Sequence, residues 1–114
     1  MTENEKKKRA IRKEVDAFME TVEAFLRSKN GGVLPEEWGL SLMMLRTYYE
    51  QFIAISREID SLDSLVYDGR YGPQPTPLLG ARDKAAMRLE SMMKELGLTL
   101  KAASKLDIVE AVKE

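Results

Sequence analysis

The sequence predicts an all-α fold: a long antiparallel helical hairpin, a proline- and glycine-rich turn or short β-hairpin, a third helix and a short C-terminal helix. Two observations favour this fold. Apolar residues recur at intervals of three and four along two long stretches, which is the period of one face of an α-helix. Glycine, proline and asparagine cluster between the helical stretches, where helices end. The 114 residues are about the length of one domain.

The first helix is predicted over residues 4–29. Its apolar side chains share one face at alternating spacings of four and three residues, namely Ile11, Val15, Phe18, Val22 and Phe25. Asn30, Gly31 and Gly32 favour the left-handed backbone that ends a helix. At 1.5 Å per residue such a helix is roughly 39 Å long, which is more than one small globule needs.

The second helix is predicted to open at Leu34 and Pro35, with Glu36 and Glu37 in its first turn. Its apolar set is broad and includes Trp38, Leu42, Leu45, Tyr49, Phe52, Ile55 and Ile59. A broad apolar stripe indicates that other elements cover more than one side of the helix. Because the connection to the first helix is short, the two helices are predicted to form an antiparallel hairpin.

The middle of the chain predicts a turn or a short β-hairpin. The Asp68-Gly69 pair lies between two β-prone triplets and is typical of a tight hairpin turn. The prolines that follow exclude a continuous helix.

The third helix has a clear predicted start, with Thr76 as N-cap and Pro77 at the first helical position. Gly97 is predicted to end it, and Thr99 to cap a short last helix through Leu106. The single domain is thus predicted to comprise a projecting basic arm (1–13), the helical hairpin (14–62), a turn region (63–76), the C-terminal helices (77–106) and a tail (107–114).

Composition argues against catalysis. The chain has no cysteine and no histidine, which excludes thiolate nucleophiles, Cys/His zinc sites and Ser–His triads. The acidic residues show no metal-binding loop spacing. We therefore predict no enzymatic activity, no catalytic residues, no cofactor and no metal. Since no apolar run approaches the ~20 residues that span a bilayer, we also predict no membrane association and a cytoplasmic location.

The net charge of −1 conceals a separation of signs along the chain. Residues 1–30 and 69–105 carry an excess of basic residues, whereas residues 36–68 carry an excess of acidic residues. Separated signs indicate distinct surfaces for distinct partners.

The densest basic segment lies near the start of the first helix. Its six cations are Lys6, Lys7, Lys8, Arg9, Arg12 and Lys13. The simpler interpretation is a solvated first turn, but cations at a helix N-terminus oppose the helix dipole. The apolar stripe also stops at Ile11, so the first two turns are predicted to project as an arm. A projecting basic arm suits DNA phosphates, without reading base sequence.

The large apolar side chains of the helical hairpin are expected mainly in the core, Met43 and Met44 among them. Three helices of this length nevertheless carry more apolar surface than one chain can cover, which predicts contacts between subunits. The candidate interface residues are Phe18, Val22, Phe25, Trp38, Leu42 and Tyr49.

Residues 65–106, LVYDGRYGPQPTPLLGARDKAAMRLESMMKELGLTLKAASKL, resemble the C-terminal half of the phage terminase small-subunit family. The shared pattern is a turn with glycine and basic residues, a proline-initiated helix, then Leu-Gly-Leu-Thr and a brief helix. The preceding helix, with Leu45 and the Tyr48-Tyr49 pair, is also similar to the family's second long helix.

This resemblance implies an oligomeric ring that binds double-stranded viral DNA in the host bacterial cytoplasm. It also implies a second partner, the large terminase subunit, which carries the ATPase and the nuclease. The alternative is a small helical regulator or adaptor that binds a protein partner through an apolar groove.

Overall fold

The computed structural model describes residues 2–98 and is mainly helical, as the sequence predicts. The elements are α1 (Glu3–Lys29), a 3-10 turn (Glu36–Trp38), α2 (Gly39–Asp60), β1 (Val66–Gly69), β2 (Gly72–Pro75) and α3 (Pro77–Glu95). The helix predicted after Thr99 and the tail from 107 to 114 lie outside the described residues.

Both ends of α1 follow from local sequence signals. The hydroxyl of Thr2 caps the first turn, accepting a hydrogen bond from the Glu5 N–H at 3.1 Å. At the other end, the Gly32 N–H donates to the Arg27 carbonyl at 2.7 Å, while Gly31 adopts a φ of +65°. This is the Schellman geometry, which satisfies carbonyl groups that the helix leaves unpaired.

The start of α2 differs from the prediction. Pro35 has extended backbone (φ −60°, ψ 137°), a 3-10 turn follows it, and the α-helix begins only at Gly39. The Trp38 N–H donates to the Pro35 carbonyl at 3.1 Å, so the proline caps the turn from outside rather than occupying the helix.

α1 and α2 form the predicted antiparallel hairpin. Residues near the start of α1 meet residues near the end of α2, as the ion pair of Glu14 with Arg57 shows. Further along, the Phe18 and Tyr49 rings stack with centroids 3.8 Å apart. These contacts fix the register of the two helices, and α3 then packs on α2.

The β-hairpin is present, but its turn is not at Asp68-Gly69. Gly69 pairs with Gly72 and Val66 with Pro75, which leaves Arg70 and Tyr71 as the two-residue tip. Prolines have no N–H, so Pro73 and Pro75 fit a strand only where the N–H would point away from its partner. The observed register meets this condition, because the flanking Thr76 N–H donates to the Leu65 carbonyl at 2.8 Å.

α3 starts and stops where the sequence predicts. The Thr76 hydroxyl accepts from the Leu78 N–H at 3.4 Å, and Pro77 is the first helical residue. At the C-terminal end the Leu98 N–H donates to the Met93 carbonyl at 2.6 Å, and Gly97 has a φ of +75°. This is a second Schellman ending.

One core joins the three helices. It consists of Val15, Met19, Val22, Phe25, Leu26, Leu42, Leu45, Leu89, Met92, Leu96 and Leu98. The expectation that Met43 and Met44 belong to the core is wrong, because their side chains are exposed. Within residues 2–98, no helix combines the length and the apolarity that crossing a membrane requires.

Candidate nucleic-acid interface

The basic segment lies on a regular, capped helix. Thr2 caps α1, and Glu3 and Glu5 stand in its first turn, where carboxylates favour the positive end of the helix dipole. These two carboxylates offset the unfavourable interaction between the helix dipole and the cations that follow. The segment therefore presents its charges from a fixed helical scaffold.

All six predicted DNA-binding residues are exposed. Lys6, Arg9 and Lys13 are spaced at i, i+3 and i+7, so they share one face of α1. The opposite side of the same helix buries Val15 and Val22 in the core. These three cations, here called the outward stripe, consequently point away from the body of the protein.

Lys7 and Lys8 lie differently. Together with Asn4 they line a groove between α1 and the end of α2, across from Glu58 and Ser61. The start of α1 is thus exposed to solvent, and the face that carries Lys7 and Lys8 lies beside α2. Arg57 and Glu58 also line this groove, whereas Arg9 and Lys13 lie on the face of α1 opposite its buried residues.

The ion pairs of the described residues leave most of the basic segment unpaired. Lys6 has a loose contact of 3.9 Å with Glu3, and both side chains are largely exposed. No ion pair between residues 2–98 involves Arg9, Arg12 or Lys13. These cations are accordingly free to bind an external anion.

The tip of the β-hairpin adds a cation at the same end of the molecule. Since α1 and α2 are antiparallel, the hairpin that follows α2 emerges at the end where α1 begins. Tyr71 is 85% exposed, and the Arg70 guanidinium carbon lies 5.7 Å from its ring centroid. In the sequence, the glycines at 69 and 72 bracket this tip.

The predicted subunit-interface residues lie elsewhere, in and around the core. Val22, Phe25 and Leu42 are buried within the chain, which leaves them little surface to offer a second subunit. Phe18, Trp38 and Tyr49 are half-buried and pack against the same core. That these six side chains form an interface stays a prediction.

One ionisable side chain in the α1–α2 contact has a perturbed proton affinity. Burial raises the pKa of the Tyr49 phenol above its ordinary value, and the nearby Glu14 carboxylate raises it further. Arg57 opposes this shift.

Within the part of the chain that the structure describes, no group of three or more acidic, histidine or cysteine side chains could hold a metal ion.

Comparison with known proteins supports the family resemblance. A family model described as "Phage terminase, small subunit" matches residues 8–112. No curated protein and no solved structure matches the sequence. The family match leaves out only seven residues at the start and two at the end, so it includes four of the six predicted DNA-binding residues. On this match, the chain belongs to the phage terminase small-subunit family.

Proposed function

We propose that this protein is the non-catalytic small subunit of a phage terminase, which binds double-stranded viral DNA as a homo-oligomeric ring. In this role it recognises the viral genome and presents it to the large subunit, which cuts and translocates it. The proposed site of action is the cytoplasm of the host bacterium. Membership of the family supports the terminase role, and the charges of α1 support the DNA contact.

The observation that carries the DNA contact is the outward stripe. Lys6, Arg9 and Lys13 stand on a capped helix, face away from the core and are exposed to solvent. Cations held in this way can neutralise DNA phosphates and release their bound counterions, which drives association. Arg12 borders the stripe and extends the basic surface.

The rest of α1 restricts where DNA can lie. Between residues 14 and 23 the helix carries four carboxylates and no cation. Arg57 and Arg46 of α2 pair with Glu14 and Asp16, which leaves Glu20 and Glu23 without an ion pair among the described residues. A polyanion is repelled by that half of α1 and attracted to the first half. We therefore place the DNA across the start of α1, within reach of Arg70 at the hairpin tip.

Phosphate contacts position a protein on DNA but do not read its sequence. The outward stripe accordingly accounts for affinity, and site selection needs further groups that reach base edges. Tyr71 and Arg70 are the exposed side chains best placed for that task among the described residues, because they form the tip of a narrow hairpin.

A binding experiment tests this proposal. The full-length protein is titrated onto duplex DNA at several salt concentrations, and its mass is measured by light scattering in the same buffers. We expect DNA binding that weakens steeply with salt and a mass far above 13.0 kDa. An adaptor that only binds proteins would run as a monomer or dimer and would not retard DNA, and this result would refute the proposal.

A further inference from the structure

The acidic second half of α1 forms one wall of an open groove between α1 and α2. The groove has a volume of about 610 Å³. Its floor is apolar, formed by Met19, Leu34 and Leu42, and Met43 borders it from α2. Its α1 wall carries Asp16, Glu20 and Glu23, and Arg46 of α2, which is ion-paired with Asp16, also lines the groove. An apolar floor beside an acidic wall fits an amphipathic helix that bears cations.

Exposed apolar side chains border this groove. Met43 is 68% exposed, and Leu40, one turn earlier on α2, is 70% exposed. Adjacent large apolar side chains at this exposure mark a surface that a second macromolecule covers.

A helix with matching chemistry, α3, packs on α2. Lys84, Met87 and Ser91 are exposed on one side of α3, here called its outer face. Arg88 lies at the edge of this face, where it and Met87 border an open groove beside Met44 and Tyr48 of α2. Met87 is 66% exposed although it is a large apolar residue. The same helix buries Ala85, Leu89 and Met92, and none of the residues that line the acidic groove of the same chain belongs to α3.

We propose that the acidic groove binds the outer face of α3 from a second copy of this chain. Met87 enters the apolar floor, and Lys84 and Arg88 approach the carboxylates of Glu20 and Glu23. No ion pair between described residues involves any of these four charged side chains. The proposal rests on the oligomeric part of the proposed function and specifies the surfaces that form it.

The symmetry of the contact follows from its two different faces. A groove on one subunit and a helix face on the next make a head-to-tail contact, which repeats from subunit to subunit. When the rotation between neighbours closes, such a contact generates a ring. The start of α1 takes no part in this contact, so every subunit keeps its outward stripe accessible.

Charge reversal tests the contact directly. Glu20→Lys with Glu23→Lys, or Lys84→Glu with Arg88→Glu, brings like charges together across the interface. We expect each double variant to associate at least about tenfold more weakly, because like charges that face each other across an interface repel. All four substitutions in one chain restore opposite charges and should restore the wild-type oligomer, measured by sedimentation velocity.

The matched control reverses two acidic charges at the other end of the molecule, Asp63→Lys with Asp68→Lys. This variant should assemble like the wild type. Failure of the fourfold variant to reassemble, with its helicity retained by circular dichroism, would overturn the proposed pairing. A wild-type chain that stays monomeric would overturn it as well.

Cross-linking provides a second test that does not depend on charge reversal. The chain has no cysteine, so single-cysteine variants report only the chosen positions. We expect Met43→Cys mixed with Met87→Cys to form a disulfide-linked dimer on oxidation, and neither variant to do so alone. A dimer of Met43→Cys with itself would indicate a two-fold contact and would refute the head-to-tail arrangement.

The two proposals fail separately in these experiments. Duplex DNA binding by the wild type tests the nucleic-acid contact whatever surface joins the subunits. If the protein binds DNA as an oligomer but charge reversal and cross-linking give no effect, the proposed function stands and the groove contact falls.

Discussion

Removal of two cations from the outward stripe should change the salt dependence of DNA binding by a predictable amount. In the variant Arg9→Ala with Lys13→Ala, each engaged subunit loses two phosphate contacts. The slope of log affinity against log salt should then become shallower by about 1.8 for each engaged subunit, at about 0.9 per contact. Over a fourfold rise in salt, the wild type should therefore lose about 12-fold more affinity than the variant for each such subunit.

The matched control removes two cations from the opposite end of the same helix, Arg27→Ala with Lys29→Ala. Both variants lower the net charge equally, so a general electrostatic effect would change both slopes alike. Alanine favours helix, and removing cations near an N-terminus relieves the opposition to the helix dipole. Weaker binding by the stripe variant therefore cannot come from a melted α1.

Fluorescence anisotropy with a labelled duplex between 50 and 200 mM salt, ~4-fold in concentration, measures both slopes in the range where counterion release dominates. A comparison with Lys7→Ala and Lys8→Ala sharpens the result. Because these two lysines line the groove across from Glu58, we expect a smaller change in slope. If the stripe variant and the control both keep the wild-type slope, the DNA contact lies elsewhere, and this result would refute the role of the outward stripe.

Three further predictions concern the fold that positions these surfaces. Leu45 is fully buried, so Leu45→Ala should lower the free energy of unfolding by about 2–5 kcal/mol in urea titrations. Gly97→Ala, just beyond the end of α3, should cost about 1–2 kcal/mol because of its positive φ. In contrast, Gly80→Ala within α3, at a position with open space, should stabilise the fold by about 0.5–1 kcal/mol. Because the folded-state pKa of Tyr49 is raised, the folded chain keeps that proton when the unfolded chain has lost it. Its contribution to stability is fully present below the ordinary tyrosine pKa of 10.0 and is lost as pH rises through the folded-state value. A late tyrosinate component in an absorbance titration, absent from Tyr49→Phe, would verify this shift.

The sequence predicts helix ends well because their signals are local. Thr76 and Pro77 start α3, and Gly97 ends it, through hydrogen bonds within a few residues of each position. Pro35 shows where this reasoning fails. A proline is compatible both with the first helical position and with the extended residue before a turn, and only the backbone geometry decides between them.

The position of the hairpin turn and the exposure of individual apolar residues could not be predicted from the local sequence alone. The Asp68-Gly69 pair is a strong turn signal, but the register is also restricted by Pro73 and Pro75, which cannot donate hydrogen bonds. Likewise, Met43 fits an apolar helical stripe as well as Leu42 does. Only the positions of α1 and α3 around α2 determine that Leu42 is buried and Met43 is exposed.

The proposed DNA contact and the proposed subunit contact lie on different halves of α1. Loss of the subunit contact should weaken DNA binding, whereas loss of the DNA contact should not affect assembly. The outward stripe lies in the first half and the acidic wall of the groove in the second, so stripe substitutions leave the subunit contact unchanged. Substitutions in the subunit contact, in contrast, separate the subunits, so the outward stripes are no longer held together in one oligomer. Linked binding sites gain affinity from their effective concentration, and this gain disappears when the link is broken. The variant Lys84→Glu with Arg88→Glu, which leaves α1 unchanged, should therefore bind DNA weakly and with a shallow salt slope although every cation of the outward stripe is intact. A stripe variant should remain fully assembled.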